Sequence, residues 1–296
     1  MKKILIVGAT GFIGKKVADY LIQQQEFDVI RYTRRPHQVF FSCELGDSAW
    51  QEMVKSCVAI INCSGVGLAK IKQQRNANET IARQLVESLP DIGKKYHLLH
   101  LSTVKAFNVH QYADAYSSDK HTAEQVLMAK REMLAGEILR IPAVFGQGDA
   151  NLMPLLRMAQ KGRLPEIQGD ICRWHCISNL DIAHYVYHWL NKRDESELTL
   201  SYLLSKQRFS VNDLIKSVNH HVHGKTWQAR KKKLFYIKAI YKLLTVKSYI
   251  SSGFRWSQFP SERFADLFQR NWEIELSEKI AVHTVNFSPD DIWNTK

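Results

Sequence analysis

The run Lys2-Lys3-Ile4-Leu5-Ile6-Val7-Gly8-Ala9-Thr10-Gly11-Phe12-Ile13-Gly14 opens the chain and decides its fold. Ile4 to Val7 is a short apolar stretch cut off at once by glycine, which reads as a buried strand. A G-x-x-G-x-x-G run directly after such a strand, with a helical pattern over 12–24, predicts a dinucleotide-binding βαβ start. Gly8 permits the tight turn, and Gly11 lets the backbone approach a pyrophosphate. Gly14 lets the helix pack closely on the strand, and the phosphates sit on the helix N-terminus. Gly8, Thr10, Gly11, Phe12, Ile13 and Gly14 are the expected cradle. Structural turns also space glycines this way; the position immediately after a strand favours cofactor binding.

Strand and helix patterns alternate outward from this start. Strands are predicted at Ile4–Val7, Asp28–Tyr32, Val39–Ser42, Ala59–Cys63, His97–Ser102 and Glu137–Ile141. Helices are predicted near 12–24, 48–55, 72–88, 115–133 and 151–161. The alternation predicts an α/β protein with a Rossmann-type, doubly wound parallel sheet. From about Arg163 it degrades into shorter, mixed elements. The expected division is therefore a Rossmann domain over 1–162 and, over 163–296, mainly a small C-terminal substrate-binding lobe, with about 172–190 returning to the first.

The 296 residues are 45% hydrophobic, ordinary for a globular protein. No apolar run reaches the ~18 residues of a spanning helix. The opening stretch is broken by glycine, ends at Lys15-Lys16 and lacks a small-residue cleavage site, so it does not read as a signal peptide. Five cysteines, an odd number, fit reduced thiols and a cytoplasmic protein. Cys172-Arg-Trp-His175-Cys176 lacks zinc-ribbon spacing and a second pair, so no metal is expected there.

The net charge of +12 is concentrated. Ten basic residues and no acidic one lie between Asp213 and Glu262, leaving about +2 for the rest of the chain. The block admits an anionic substrate or an anionic membrane surface, with the lysines of Leu234–Lys247 snorkelling. A lid or core helix over the pocket is favoured over peripheral membrane contact. Nucleic-acid binding is not expected, since no nucleic-acid module accompanies the charge.

Leu101-Ser102-Thr103-Val104-Lys105-Ala106-Phe107 ends the fifth predicted strand, and Tyr116-Ser117-Ser118-Asp119-Lys120 follows on a helix. Tyr and Lys at i, i+4 share a helix face. Ligands of doubly wound sheets bind at the carboxyl ends of the strands, where a hydroxyl, a phenol and an amine can converge. The chain here resembles the extended short-chain dehydrogenase/reductases, the NAD(P)-dependent epimerase/dehydratase family. The resemblance rests on the glycine run, on these two segments, on Arg140-Ile-Pro142-Ala-Val144-Phe-Gly146-Gln-Gly148-Asp149 and on Asn179-Leu-Asp181-Ile-Ala183.

The resemblance implies that Tyr116 is the general acid/base, with Lys120 favouring its phenolate and binding the nicotinamide ribose. It implies that Thr103 holds the substrate oxygen, with Ser102 as the fallback. Pro142 and Val144 would pack on the nicotinamide, Glu44 and Leu45 would lie near the adenine, and Ser64 and Gly65 near the ribose. Asn76 stands at the family's asparagine position, near the lysine or as a helix cap. Asp181 reads as a cap, and Arg173 corresponds to an arginine that touches substrate phosphate.

NAD sites carry a carboxylate after the second strand. Here Ile30-Arg31-Tyr32-Thr33-Arg34-Arg35 has none, and Arg34 or Arg35 suits a 2′-phosphate, so NADP(H) is favoured over NAD(H). Tyr116 follows Thr103 by only thirteen positions, without the longer Glu-x-x-Pro-like insert of sugar-nucleotide enzymes. The expected activity is hydride transfer to or from a secondary alcohol or carbonyl of a small-molecule substrate. Epimerisation or dehydration by transient oxidation is the alternative, and a non-catalytic NADP-binding regulator or assembly protein is the third reading. A homodimer is left open.

Overall fold

Apolar residues on both faces of most central strands predict a sheet covered on both sides, and the sheet is built that way. The computed structural model describes residues 1–34, 37–67, 76–107, 115–146, 149, 153–168, 172–192, 196–233 and 280–293. The first half runs β1 (Lys2–Val7), α1 (Phe12–Gln24), β2 (Phe27–Thr33), β3 (Phe41–Ser42), α2 (Ser48–Ser56), β4 (Ala59–Asn62), α3 (Ala77–Glu87), β5 (Tyr96–Thr103), α4 (Ala115–Met128) and β6 (Leu134–Ile141). The second runs β7 (Ala143–Phe145), α5 (Met153–Gln160), β8 (Glu166–Gln168), β9 (Arg173–Trp174), β10 (Cys176–Ser178) and α6 (Asn179–Lys192). It finishes with β11 (Leu198–Ser205), β12 (Phe209–Ser210), α7 (Val211–His223), β13 (Lys231–Lys233) and β14 (Ala281–Val285).

The chain divides into two compact units. The first comprises Met1–Val144, Ile177–Leu204 and Ile274–Val285; the second comprises Phe145–Cys176, Ser205–Glu273 and Asn286–Lys296.

The first unit holds an eight-stranded sheet in the order β14-β11-β6-β5-β4-β1-β2-β3. Every pairing from β3 to β11 is parallel. Strand order reverses between β1 and β4, and such a switch point opens a crevice beyond the strands' carboxyl ends. Period-two alternation splits the core. Ile4, Ile6, Leu99, Leu101 and Leu139 pack with Val17 and Leu21 of α1 and Val186 of α6. Leu5, Ile60, Leu98 and Ile138 pack on the other face with Trp50, Leu85 and Leu127. Each such side chain, fully buried, contributes about 1.5–3 kcal/mol.

Where element bounds depart from expectation, local hydrogen bonds explain it. β3 is two residues rather than Val39–Ser42, because the His37 ring accepts the Val39 and Phe40 N–H groups at 3.1 and 3.2 Å. α4 stops at Met128, and a turn closed by Met133 N–H on Lys130 O at 3.0 Å leads into β6. β6 starts at Leu134, three residues before the predicted start. The sheet also takes β11 and β14 from beyond residue 163, where the sequence showed little periodicity.

In the second unit, β9 pairs with β12 antiparallel and β13 with β8 parallel. α7 opens with a capping box in which Ser210 and Asp213 satisfy each other's backbone N–H groups.

Candidate active site

The glycine run forms a turn with no room for a side chain at Gly8 or Gly14. Gly8 has φ +81°, and a Cβ there would stand 2.6 Å from Ser64 N. A Cβ on Gly14 would stand 2.3 Å from Gly8 O. Gly11 N–H closes the turn on Gly8 O at 3.0 Å and Gly11 caps α1. That cap supplies no side-chain acceptor, and the first helical turn has no acidic residue. Neither the cap nor the first turn of α1 thus brings a negative group to the positive helix end, and that end fits a pyrophosphate. Thr10 is exposed, Phe12 is half-buried, and Ile13 packs against the α1 side of the core.

Around the rest of the expected dinucleotide path, Arg34 is exposed just beyond β2, and its guanidinium donates to Gln84 Oε1 at 3.3 Å. Arg35 lies outside the described residues. Glu44 is exposed, and Leu45 packs against the α2–α3 side of the core. The Ser64 N–H and hydroxyl both donate to Asn62 Oδ1. Pro142 is buried, and Val144 packs against the core.

β5 delivers Thr103, 7% exposed, at its carboxyl end, where its hydroxyl oxygen accepts the Lys105 N–H at 3.3 Å. Ser102 is differently engaged: its hydroxyl donates to Glu124 Oε1 at 2.5 Å. Glu124 also takes Arg140 Nε and a second guanidinium nitrogen at 3.0 and 2.6 Å, and Arg140 donates to the Tyr202 hydroxyl at 2.8 Å. This buried network ties α4 to β5, β6 and β11. It commits Ser102 to structure.

Tyr116 is half-buried in the first turn of α4, and Lys120 lies one turn on at 6% exposure. Lys120 Nζ donates to Leu101 O at 3.1 Å. Burial lowers its pKa to about 8, against the opposing pull of Glu124 and Asp119. Gly65 makes this approach feasible: a Cβ there would stand 2.8 Å from Asn78 Oδ1 and 3.0 Å from Lys120 Nζ. Beneath, His100 Nδ1 accepts from Asn62 Nδ2 at 2.9 Å, which puts the ring proton on Nε2. Burial and the Lys120 charge hold His100 well below the usual histidine range.

The asparagine beside the lysine is Asn78, a residue the sequence reading passed over. Asn76 is exposed, has φ +56° and makes no side-chain cap. Asn78 is 2% exposed, and its amide accepts the Val66 N–H at 2.8 Å and donates to Val66 O at 3.1 Å. It also donates to Asp119 Oδ2 at 2.7 Å. Asp119 accepts the backbone N–H groups of Asn78 and Glu79 as well, so α4 caps α3. A signal was present: Asn78, Ala82 and Leu85 follow one helical stripe, and a lone polar residue on a buried stripe needs partners.

Asp181 accepts from the Ser178 N–H and hydroxyl at 2.7 Å each, as a cap does. Arg173 is exposed on β9 in the second unit, and its guanidinium donates to Arg208 O at 3.4 Å. None of the five cysteines is in a disulfide. Among the described residues no group of three His, Cys, Asp or Glu could hold a metal ion. No helix among them is long and apolar enough to cross a membrane.

A parallel sheet with this strand order and a helix end behind a glycine turn define a dinucleotide-binding fold of the doubly wound class. Residues 4–195 match the model of the NAD dependent epimerase/dehydratase family, and the chain belongs to that family. A UDP-2-acetamido-2,6-beta-L-arabino-hexul-4-ose reductase of Pseudomonas aeruginosa is 26% identical over 148 residues. That match covers 49% of this chain and 36% of the relative, so it spans about a third of the relative's length. Among solved structures, UDP-N-acetylglucosamine 4-epimerase from Bacillus cereus superposes with a TM-score of 0.61 at 15% identity, over 79% of this chain and 86% of that one. Human epimerase family protein SDR39U1 with NADPH superposes at 0.62 and 14% identity, over 80% and 85%. At such identities the structural likeness speaks for the fold.

Proposed function

We propose that the protein is an NADP(H)-preferring oxidoreductase that reduces a carbonyl, or oxidises a secondary alcohol, on a keto sugar or similar small polar molecule. The carrying observation is Lys120, an ammonium held nearly out of water at the end of β5, beside Gly65 and one helical turn from Tyr116. Burying that charge is costly, and a ligand oxygen is the natural compensation. A bound nicotinamide supplies or accepts hydride. Tyr116 gives its phenolic proton to the substrate oxygen in reduction and takes it back in oxidation. Lys120, cationic at neutral pH, favours the phenolate by charge and orients the nicotinamide ribose through its N–H groups. Thr103, free of the network that engages Ser102, holds the substrate oxygen.

Arg34 and the missing carboxylate after β2 support the cofactor preference. The Pseudomonas reductase, which acts on a UDP-linked hexulose according to its name, supports a keto-sugar substrate. Tyr116, Lys120 and a strand-end threonine together exceed what a purely binding protein needs.

The test incubates the purified protein with NADPH and a panel of keto sugars, free and nucleotide-linked. Stoichiometric release of oxidised cofactor with alcohol formation is expected. Cofactor that stays bound with no net redox change would instead assign the protein to epimerisation or dehydration.

A further inference from the structure

The second unit carries an exposed cationic end that the proposed chemistry leaves unused. β13 is Lys231-Lys232-Lys233, all three exposed, and it pairs in parallel with β8, Lys231 opposite the half-buried Glu166. Glu166 N–H donates to Arg230 O at 2.9 Å, so the chain enters both strands from the same end. Exposed Lys161 and Arg163 precede β8 there, and exposed Lys225 and Trp227 precede β13. Trp227 stacks on His223 with ring centroids 4.2 Å apart, and His223 Nε2–H donates to Ala159 O at 2.6 Å, two residues before Lys161. These contacts draw both lead-in segments together around one indole.

We infer that this end of the second unit docks on a lipid bilayer bearing anionic headgroups. Lysine dominates it, a compact point charge that reads charge density rather than the planar geometry an arginine fork reads. Trp227 is 39% exposed and is the one aromatic among the large exposed hydrophobic residues described. A single indole at the rim of a cationic surface is an interfacial anchor, whereas a single-stranded nucleic acid needs successive aromatic platforms. No acidic residue occurs between Asp213 and Glu262, and the half-buried Glu166 opposite Lys231 offsets one charge of the cluster. Edge-strand lysines also discourage sheet-to-sheet aggregation, and that role alone predicts no lipid binding.

The experiment is co-sedimentation of the full chain with phosphatidylcholine vesicles, with and without about a third phosphatidylglycerol. Binding to the anionic vesicles alone is expected, lost on raising salt to about 0.5 M, where screening lengths fall to a few ångströms. Reversing Lys231, Lys232 and Lys233 to Glu should weaken it at least tenfold while calorimetric NADPH binding stays unchanged. The same reversal at Lys94, Lys130 and Arg131, exposed basic residues of the first unit, should leave it within twofold. Trp227→Ala, which removes no charge, should weaken it severalfold. The proposal is overturned by absence of binding, by equal binding to neutral vesicles, or by equal losses in the two charge reversals. Tighter binding to a duplex or single-stranded oligonucleotide than to the vesicles would also overturn it.

Discussion

The carboxylate of Asp119 accepts the Asn78 N–H at 2.9 Å and the Asn78 side-chain amide at 2.7 Å, joining residues 41 positions apart. The residue immediately before Lys120 thus fixes the start of α3, and through Asn78 it fixes the backbone of Val66 beside Gly65. Asn78→Ala leaves Asp119 and both Val66 groups short of partners, at about 1–3 kcal/mol for a buried polar group left unpaired. Urea denaturation should show that loss. Turnover should fall more than cofactor affinity, because the loop at Val66 and the lysine lose register while the glycine turn is untouched.

Tyr116→Phe removes a hydroxyl and nothing else. Turnover of a substrate found by the panel should drop about 10²–10⁴-fold, the span of general acid–base contributions. NADPH binding by calorimetry should be unchanged. Retained turnover would sink the assignment of the proton to Tyr116.

Lys120→Met should trade activity for stability. The amine is lowered from 10.5 to about 8 in the folded chain. Between those values the unfolded chain binds more protons, so stability rises with pH across that window. Below about pH 8 the burial cost is fully present, and methionine should relieve about 1–3 kcal/mol of it at pH 7. The gain should shrink towards zero as pH approaches 10.5. Denaturation midpoints of the two proteins at several pH values check the sign.

Arg34→Ala tests the cofactor preference. A charge-assisted contact to a 2′-phosphate is worth about 1.5–3 kcal/mol, so NADPH affinity should fall roughly 10–100-fold while NADH affinity stays within about twofold. Equal losses for both cofactors would mean that Arg34 does not read the phosphate.

Glu124→Gln should be among the most destabilising single changes. It breaks a buried pair that holds Arg140 at 2.6 Å and leaves the guanidinium charge without its counter-ion. About 3–5 kcal/mol is expected, whereas Glu124→Met with Arg140→Met should cost far less, because no charge is then stranded. Paired urea titrations separate the two cases.

The architecture of the first half was readable because its signals are local. Ile4 to Gly14 carries a strand, a turn and a helix start in one short stretch. β5 ends in hydroxyl residues, and Tyr116 and Lys120 share a face by spacing alone. What escaped depends on contacts between distant segments. Asn78 shares a helical stripe with Ala82 and Leu85 and Asn76 does not, but what Asn78 bonds to is decided by Asp119 on another helix. Ser102 and Thr103 are adjacent and chemically alike; the resemblance ranks Thr103 first, and the bond that engages Ser102 with Glu124 on another element is not visible in the sequence. Strands β11 and β14 were obscure because each joins the sheet through partners far away in sequence.

The close approaches at Gly8 and Gly65 give the site a gauge of length. At Gly8 the turn meets the backbone of Ser64, and at the neighbouring Gly65 that same strand end meets the Lys120 ammonium. The turn end of this path is main-chain contact, and the lysine side chain at the other end is held by its bond to Leu101 O, so the span between the turn and the ammonium is fixed at both ends. A ligand that engages both ends must bring a matching span of its own, and a fragment carrying only half of it can satisfy one end at a time.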